Sequence, residues 1–434
     1  MTYYSPDPAL FYSVAGSVGV TGNANFSQGV LIRGKSLPPP SPSDQWRADV
    51  ASLMKQMPAL HELPYVGISL DDFNANATDL YNQIPSLSDP VIETRFEELV
   101  ASIADPHTDV SWPYPGFFQM LPLSFYWFDD GIYVTGASAQ YQNLLGAKLL
   151  TVGLTGIDEA TRILTALVPH VNQQWPKHRI PLQELTNANY LFGMGLIGGT
   201  DSVPLQAQTF SGGVPTSVVS AQVRTFGASQ VPALIPVFQG AAPLSRQHLD
   251  RNYWATVIDG GATVYFQYNS CMEDPKQASA DFFPQLDQMT AQPGVQRVVL
   301  DMRNNSGGFT SILYPWFEEI RSSRFNQPGR LYVIVGRATF SAAMEATDDF
   351  HDQTAAIFVG EGTGGNPRFE LRRGAFALPY YAIQVSYSNG VEGANDPDPT
   401  LTPDIVTGLT FQQYMSGDDP AMDAILAIPA PRSN

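Results

Sequence analysis

The chain has 434 residues, 44% of them hydrophobic, and a formal net charge of -18 at pH 7. That length and composition suit two or three domains with a large core, and the negative charge disfavours nucleic acid and anionic membrane surfaces as partners. A single cysteine, Cys271, excludes an internal disulfide.

In chain order, residues 1–43 read as an arm and linker. They are rich in Gly, Ser and Asn and end in the Pro38–Pro42 run. Ala9 to Val20 is apolar, but it is broken by Ser and Gly and lacks a basic start, so no signal peptide is visible. Residues 44–110 are expected to form a small helical domain. Trp46 to Met57, Leu70 to Ile84 and Asp89 to Ile103 carry apolar residues at helical spacing, with Ser69 and Ser88 placed as helix starts. The period changes in residues 111–175: LPLSFYWFDDGIYVTGAS predicts two strands joined by a turn at Asp129-Asp130-Gly131, and strand, turn and helix follow. Residues 176–250 are mixed and read as a connecting region. Residues 251–434 read as the core that carries the chemistry.

Two stretches organise that core, VVLDMRNNSGG and LYVIVGRATFSAAMEATDDF. Val298–Leu300 and Leu331–Val335 are branched aliphatic runs bounded by turn residues, the pattern of strands buried on both faces of a parallel sheet. Asn304–Gly308 is the turn after the first. Gly307 and Gly308 lack a Cβ, so they can take positive φ and expose N–H groups to a bound oxyanion. Gly336–Phe340 breaks the second strand, and Ser341 then opens a run of helix formers. The Ala342 amide there has no intrahelical partner. By position alone, Ser341 is either an N-cap or a nucleophile.

Two G-x-G-x-x-G matches, Gly193–Gly198 and Gly360–Gly365, run into Thr200-Asp201-Ser202-Val203-Pro204 and Asn366-Pro367 instead of into helices, so neither reads as a dinucleotide site. The sequence has no G-x-S-x-G elbow, no H-E-x-x-H and no Cys/His cluster. No cofactor or metal is expected.

The words D-x-R-x-N-x-G-G and G-R-x-T-F-S-A-A, in that order, resemble the serine peptidase family of tricorn protease, the C-terminal processing (tail-specific) proteases and the interphotoreceptor retinoid-binding repeats. The resemblance implies Ser341 as nucleophile, with Ala342 and Gly307 as oxyanion donors and Gly308 as the alternative donor. Processing proteases use a lysine downstream of the serine, but Lys35, Lys55, Lys148, Lys177 and Lys276 all precede Ser341. The tricorn branch uses a histidine in a word like D-G-H-T, and Asp105-Pro106-His107-Thr108 is similar, which makes His107 the base. His351 lies ten residues along the helix from Ser341, roughly 15 Å by helical rise, and cannot reach it. His61, His170, His178 and His248 read as structural or surface residues.

The third member implied is Glu392, in SNGVEGANDPDPTLTPDI, with Asp396 and Asp398 assigned to a Pro-rich loop. Pro106 stands where tricorn has a serine. Gly360–Gly365 is similar to the family word G-E-x-T-G-G, a loop that passes near the active site. The implied fold is α/β: a crotonase/ClpP-like core of strand-strand-helix units, a helical N-terminal domain and a PDZ-like β insert. The implied activity is cofactor-independent hydrolysis of peptides or proteins by Ser, His and Glu, in an extracytoplasmic setting, with homo-oligomerisation open. The rival reading is a non-catalytic protein that binds apolar ligands on the same fold.

Overall fold

The computed structural model describes residues 40–61, 65–113, 118–223, 234–367, 370–392 and 399–431, with the side chains of 370–373 and 390–392 outside the description. Most of the expected N-terminal arm lies outside it as well. Among the described residues, no helix is long and apolar enough to cross a membrane.

Three helices follow the linker: Pro42–Leu60, Leu70–Gln83 and Asp89–Ala101. Ser41 and Asp44 form a capping box at the first, and the Ser69 side chain caps the second. Trp46, Val50, Leu53 and Met57 of the first helix bury against Phe73, Ala77 and Leu80 of the second and Ile92, Phe96 and Val100 of the third. This core is closed from far along the chain. The strands Glu370–Ala377 and Gln384–Glu392 pair antiparallel with each other, the second also pairs with Val110–Ser111, and Phe376, Ile383 and Val385 of this hairpin join the cluster. Asp49, buried in the first helix, accepts the Tyr380 and Tyr381 N–H groups at 2.9 and 3.0 Å. Trp46 stacks on Tyr381 at 4.0 Å between ring centroids.

The expected hairpin is present as Leu123–Phe128 and Gly131–Ala137, with Phe128 opposite Gly131. Its sheet does not stop at residue 175. Lys148–Val152 pairs with Ser202–Gln208, which pairs with Thr216–Ser220, so the expected connecting region supplies two strands of this antiparallel sheet. The helix Ile157–Leu164 packs against it through Ala160 and Leu164.

The core sheet has six strands in the order Tyr253–Ile258, Thr263–Tyr268, Arg297–Asp301, Leu331–Val335, Ile357–Gly360 and Ile405–Val406, antiparallel at the first pair and parallel thereafter. Alternate side chains face two apolar layers, as a strand's two-residue period requires. Val298, Leu300, Leu331, Val333 and Val335 meet Phe282, Phe283, Trp316, Phe317 and Phe350 from helices on one side. Val299, Tyr332 and Ile334 meet Ala421, Met422 and Ile425 on the other. Burial on both faces is why these strands read as unbroken apolar runs.

Candidate active site

Ser341 follows a turn stitched to the neighbouring strand's exit. The Gly336 N–H donates to Thr339 Oγ1 at 3.0 Å, that hydroxyl donates to the Met302 carbonyl at 3.0 Å, and the Phe340 N–H donates to the Asn305 carbonyl at 3.2 Å. Asn305 is fully buried, its Nδ2 donating to the Tyr268 carbonyl. Asp301 and Arg303 serve the same frame. Tyr265 and Arg303 both donate to Asp301, and Arg303 also reaches Asp419 at 2.8 Å. The D-x-R-x-N part of the first word is thus scaffold.

The chain enters the helix Ala342–Gln353 through Ser341 at φ 54°, ψ −130°, a region costing about 1–3 kcal/mol for a non-glycine residue. The Ser341 side chain makes no capping bond to its helix. Its Oγ lies instead 3.0 Å from His107 Nε2, across 234 residues of sequence. That contact excludes the N-cap role as the reason for a serine here.

Gly307, at φ 109°, passes so close that an added Cβ would sit 2.6 Å from Ser341 Cβ and 3.0 Å from the Phe340 carbonyl oxygen. Its N–H donates to Asn305 Oδ1 at 2.9 Å. The N–H groups of Gly308, at φ 139°, and of Ala342 have no protein acceptor among the described residues. The amide pair left open beside Ser341 is therefore Ala342 and Gly308, with Gly307 supplying close approach. Behind Gly308, burial pushes the Cys271 thiol up to about 11, so it stays protonated at neutral pH.

His107 stands on a loop after the third helix. Asp105 shapes it: its carboxylate accepts the His107 N–H at 3.0 Å, the Thr108 hydroxyl, and His61 Nε2 at 3.2 Å. Burial alone would raise this carboxyl, but those bonds outweigh it and hold it below the ordinary aspartate range. The Ser386 hydroxyl donates to the His107 carbonyl at 3.0 Å, tying the loop to the C-terminal hairpin. The His107 ring stacks on Phe340 at 4.8 Å, Phe340 stacks on Trp175 at 4.2 Å, and Trp175 stacks on His178 at 5.2 Å. Asp105, Phe340, Trp175 and Ser386 were not singled out in the sequence. Asp105 and Phe340 carried a signal, as letters of the histidine's and the serine's own words.

Ser341 and His107 face a small cleft of about 30 Å³ shared with Pro106, Val171, Met344 and Gly365. Gly365 donates its N–H to the Thr339 carbonyl at 2.9 Å, which brings the glycine-rich loop to the cleft edge. His351 lies on the exposed surface, 3.0 Å from Asp352. Glu392 ends the strand Gln384–Glu392 opposite Glu370. Its side chain lies outside the described residues, as do Asp396 and Asp398.

A structure of mature CPAF complexed with lactacystin superposes with a TM-score of 0.62 at 12% sequence identity, over 89% of this chain and 97% of that one. Mature CPAF gives 0.61 at 13% identity, over 88% and 96%. The chain has the fold of CPAF. The photosystem II D1 C-terminal processing protease aligns over 87% of this chain and 98% of its own, with a TM-score of 0.40 at 15% identity. No family model and no curated protein matches the sequence. Correspondence with CPAF over nearly the full length of both chains means that helical region, antiparallel sheet and core sheet are all parts of one shared architecture.

Proposed function

We propose that this chain is a serine peptidase with Ser341 as nucleophile and His107 as general base. The observation that carries the reading is the 3.0 Å contact between Ser341 Oγ and His107 Nε2, joined by a strained backbone at the serine and open amides beside it. A serine hydroxyl is a weak nucleophile and needs such a base to take its proton as it attacks the peptide carbonyl. The carbonyl oxygen then becomes an oxyanion, which the Ala342 and Gly308 N–H groups stabilise at the start of a helix whose dipole favours negative charge. His107 returns the proton to the leaving amine, and water repeats the cycle on the acyl-serine. The crotonase-like core and PDZ-like insert belong to the same proposal.

Glu392 is the proposed third member, supported by its motif. It lies six residues along its strand from Ser386, the position that bonds the His107 carbonyl. If it orients the imidazole, Glu392→Gln lowers kcat by orders of magnitude, against about 10⁴ for the analogous change in a well-studied triad. Unchanged kcat would reduce the site to a Ser341–His107 dyad.

The deciding experiment is labelling with a fluorophosphonate, which reacts only with an activated serine. The parent protein should label at one site, and Ser341→Ala should not label while melting within about 1 kcal/mol of the parent. Lactacystin, the ligand in one CPAF structure, serves as a second probe by competing for the label. A protein that only binds apolar ligands would stay unlabelled.

A further inference from the structure

A second cavity, of about 260 Å³, opens at the carboxyl ends of the parallel strands Arg297–Asp301, Leu331–Val335 and Ile357–Gly360, and shares no lining residue with the cleft at Ser341. Crevices outside the carboxyl ends of strands are where open α/β sheets take ligands. Its walls combine apolar side chains, among them Leu182, Ile334 and Leu409, with charged groups of both signs. Four cations line it, Lys177, Arg246, Arg303 and Arg337, against three carboxylates, Glu361, Asp418 and Asp419. Arg337 is committed to Glu361 through two bonds of 3.1 and 2.5 Å and to the Trp127 carbonyl. Arg303 is committed to Asp301 and Asp419.

Lys177 and Arg246 remain. The Lys177 ammonium makes no hydrogen bond or close ion pair among the described residues, and the Asp129 carboxylate beside the cavity acts on it only at longer range. Arg246 gives one N–H to the Tyr414 carbonyl and lies over the Tyr414 and Phe238 rings at 4.0 and 4.5 Å, but its Nη1 has no acceptor among the described residues. A shielded charged donor without an acceptor is costly, and an anion would relieve it. His178 lines the same cavity and makes no hydrogen bond among the described residues. Burial, and then Arg337 and Arg179, push its imidazole down to about 4, so at neutral pH it offers one N–H without adding charge. Asp418, the one carboxylate not paired with a cavity arginine, is exposed and screened by solvent.

We propose that this cavity is a second binding site, for a small organic carboxylate whose apolar body fills the walls and whose anion is held by Lys177, Arg246 and His178. A few convergent polar groups in an apolar pocket are the usual composition of a small-molecule site. The carboxylate is that of a free acid or of a peptide C-terminus. The site stands on its own groups and does not depend on the peptidase reading.

The test is titration calorimetry on the Ser341→Ala protein, which cannot turn peptides over, with phenylacetate, phenylacetamide, and Ala-Ala-Phe bearing a free or an amidated C-terminus. Phenylacetate should bind one to one, and phenylacetamide at least about tenfold more weakly, a difference of about 1.4 kcal/mol. Tighter binding of the free tripeptide than of phenylacetate identifies a peptide end as the ligand, and weaker binding identifies a free acid. Lys177→Met should lower the affinity about tenfold. Arg246→Met should do the same, but it also removes a ring-stacked side chain, so Lys177→Met carries the test if that variant fails to fold. No heat from either acid up to about 10 mM, equal binding of acid and amide, or an affinity unmoved by Lys177→Met would overturn the proposal.

Discussion

Gly307→Ala separates the geometry of Ser341, the proposed nucleophile, from the stability of the fold. The new Cβ would lie 2.6 Å from Ser341 Cβ, 3.0 Å from the Phe340 oxygen and 3.1 Å from the Ala342 nitrogen. Carbon atoms rest about 3.5–4.0 Å apart, so Ser341 and Gly307 must separate by about 1 Å. A misplacement of that size costs a reacting group about 10²-fold in rate. The backbone adds its own term, since φ 109° strains any residue with a Cβ by about 1–3 kcal/mol. Gly195→Ala is the control. Gly195 also has positive φ, at 75°, but a Cβ there meets nothing within 4 Å. Both variants should therefore lose stability in urea unfolding, while only Gly307→Ala should slow fluorophosphonate labelling, by about 100-fold. A folded Gly307→Ala protein labelled at the parent rate would refute the claim that Gly307 fixes the position of the nucleophile.

Asp105→Asn should slow labelling without touching the reacting atoms, because Asp105 holds the His107 loop. Its folded value is depressed, so its contribution is present at neutral pH and lost as pH falls through that value; the melting-temperature gap between variant and parent should close below about pH 4. Glu93 behaves in the opposite sense. Burial raises it to about 7, above the unfolded value, although it accepts from Asn189 at 2.8 Å, so the folded state holds its proton longer and stability falls as pH rises from about 4.5 to 7. Glu93→Gln should accordingly stabilise the protein at pH 8, by up to about 3 kcal/mol, and change little at pH 4; urea melts at the two pH values check this, and equal effects at both would contradict it.

The neighbourhood of Ser341 was legible because its signals are local. Aliphatic runs end at turn residues, glycines sit where the backbone needs positive φ, and helix formers follow the serine. The three N-terminal helices were legible for the same reason, through their apolar period. What closes their core was not. Phe376 and Val385 alternate as in any half-buried strand, and nothing near them says that the buried face belongs to helices some 300 residues earlier. The strands Ser202–Gln208 and Thr216–Ser220 were missed as sheet members because their partner lies beyond an intervening helical stretch. That the Gly307 N–H is taken by Asn305 Oδ1 was not legible either, since it depends on how a buried side chain folds back on its own turn.

The C-terminal hairpin also sets when Ser341 and His107 can come together during synthesis. His107 leaves the ribosome first, and Ser341 follows 234 residues later. Even then the loop bearing the histidine lacks its anchors, since Ser386 and the strand that pairs with Val110–Ser111 have yet to be made. The nascent chain therefore cannot hold Ser341 against His107 in this way until translation has passed the last strand of the hairpin. Assembly of the pair thus waits on a hairpin that is made after both of its members.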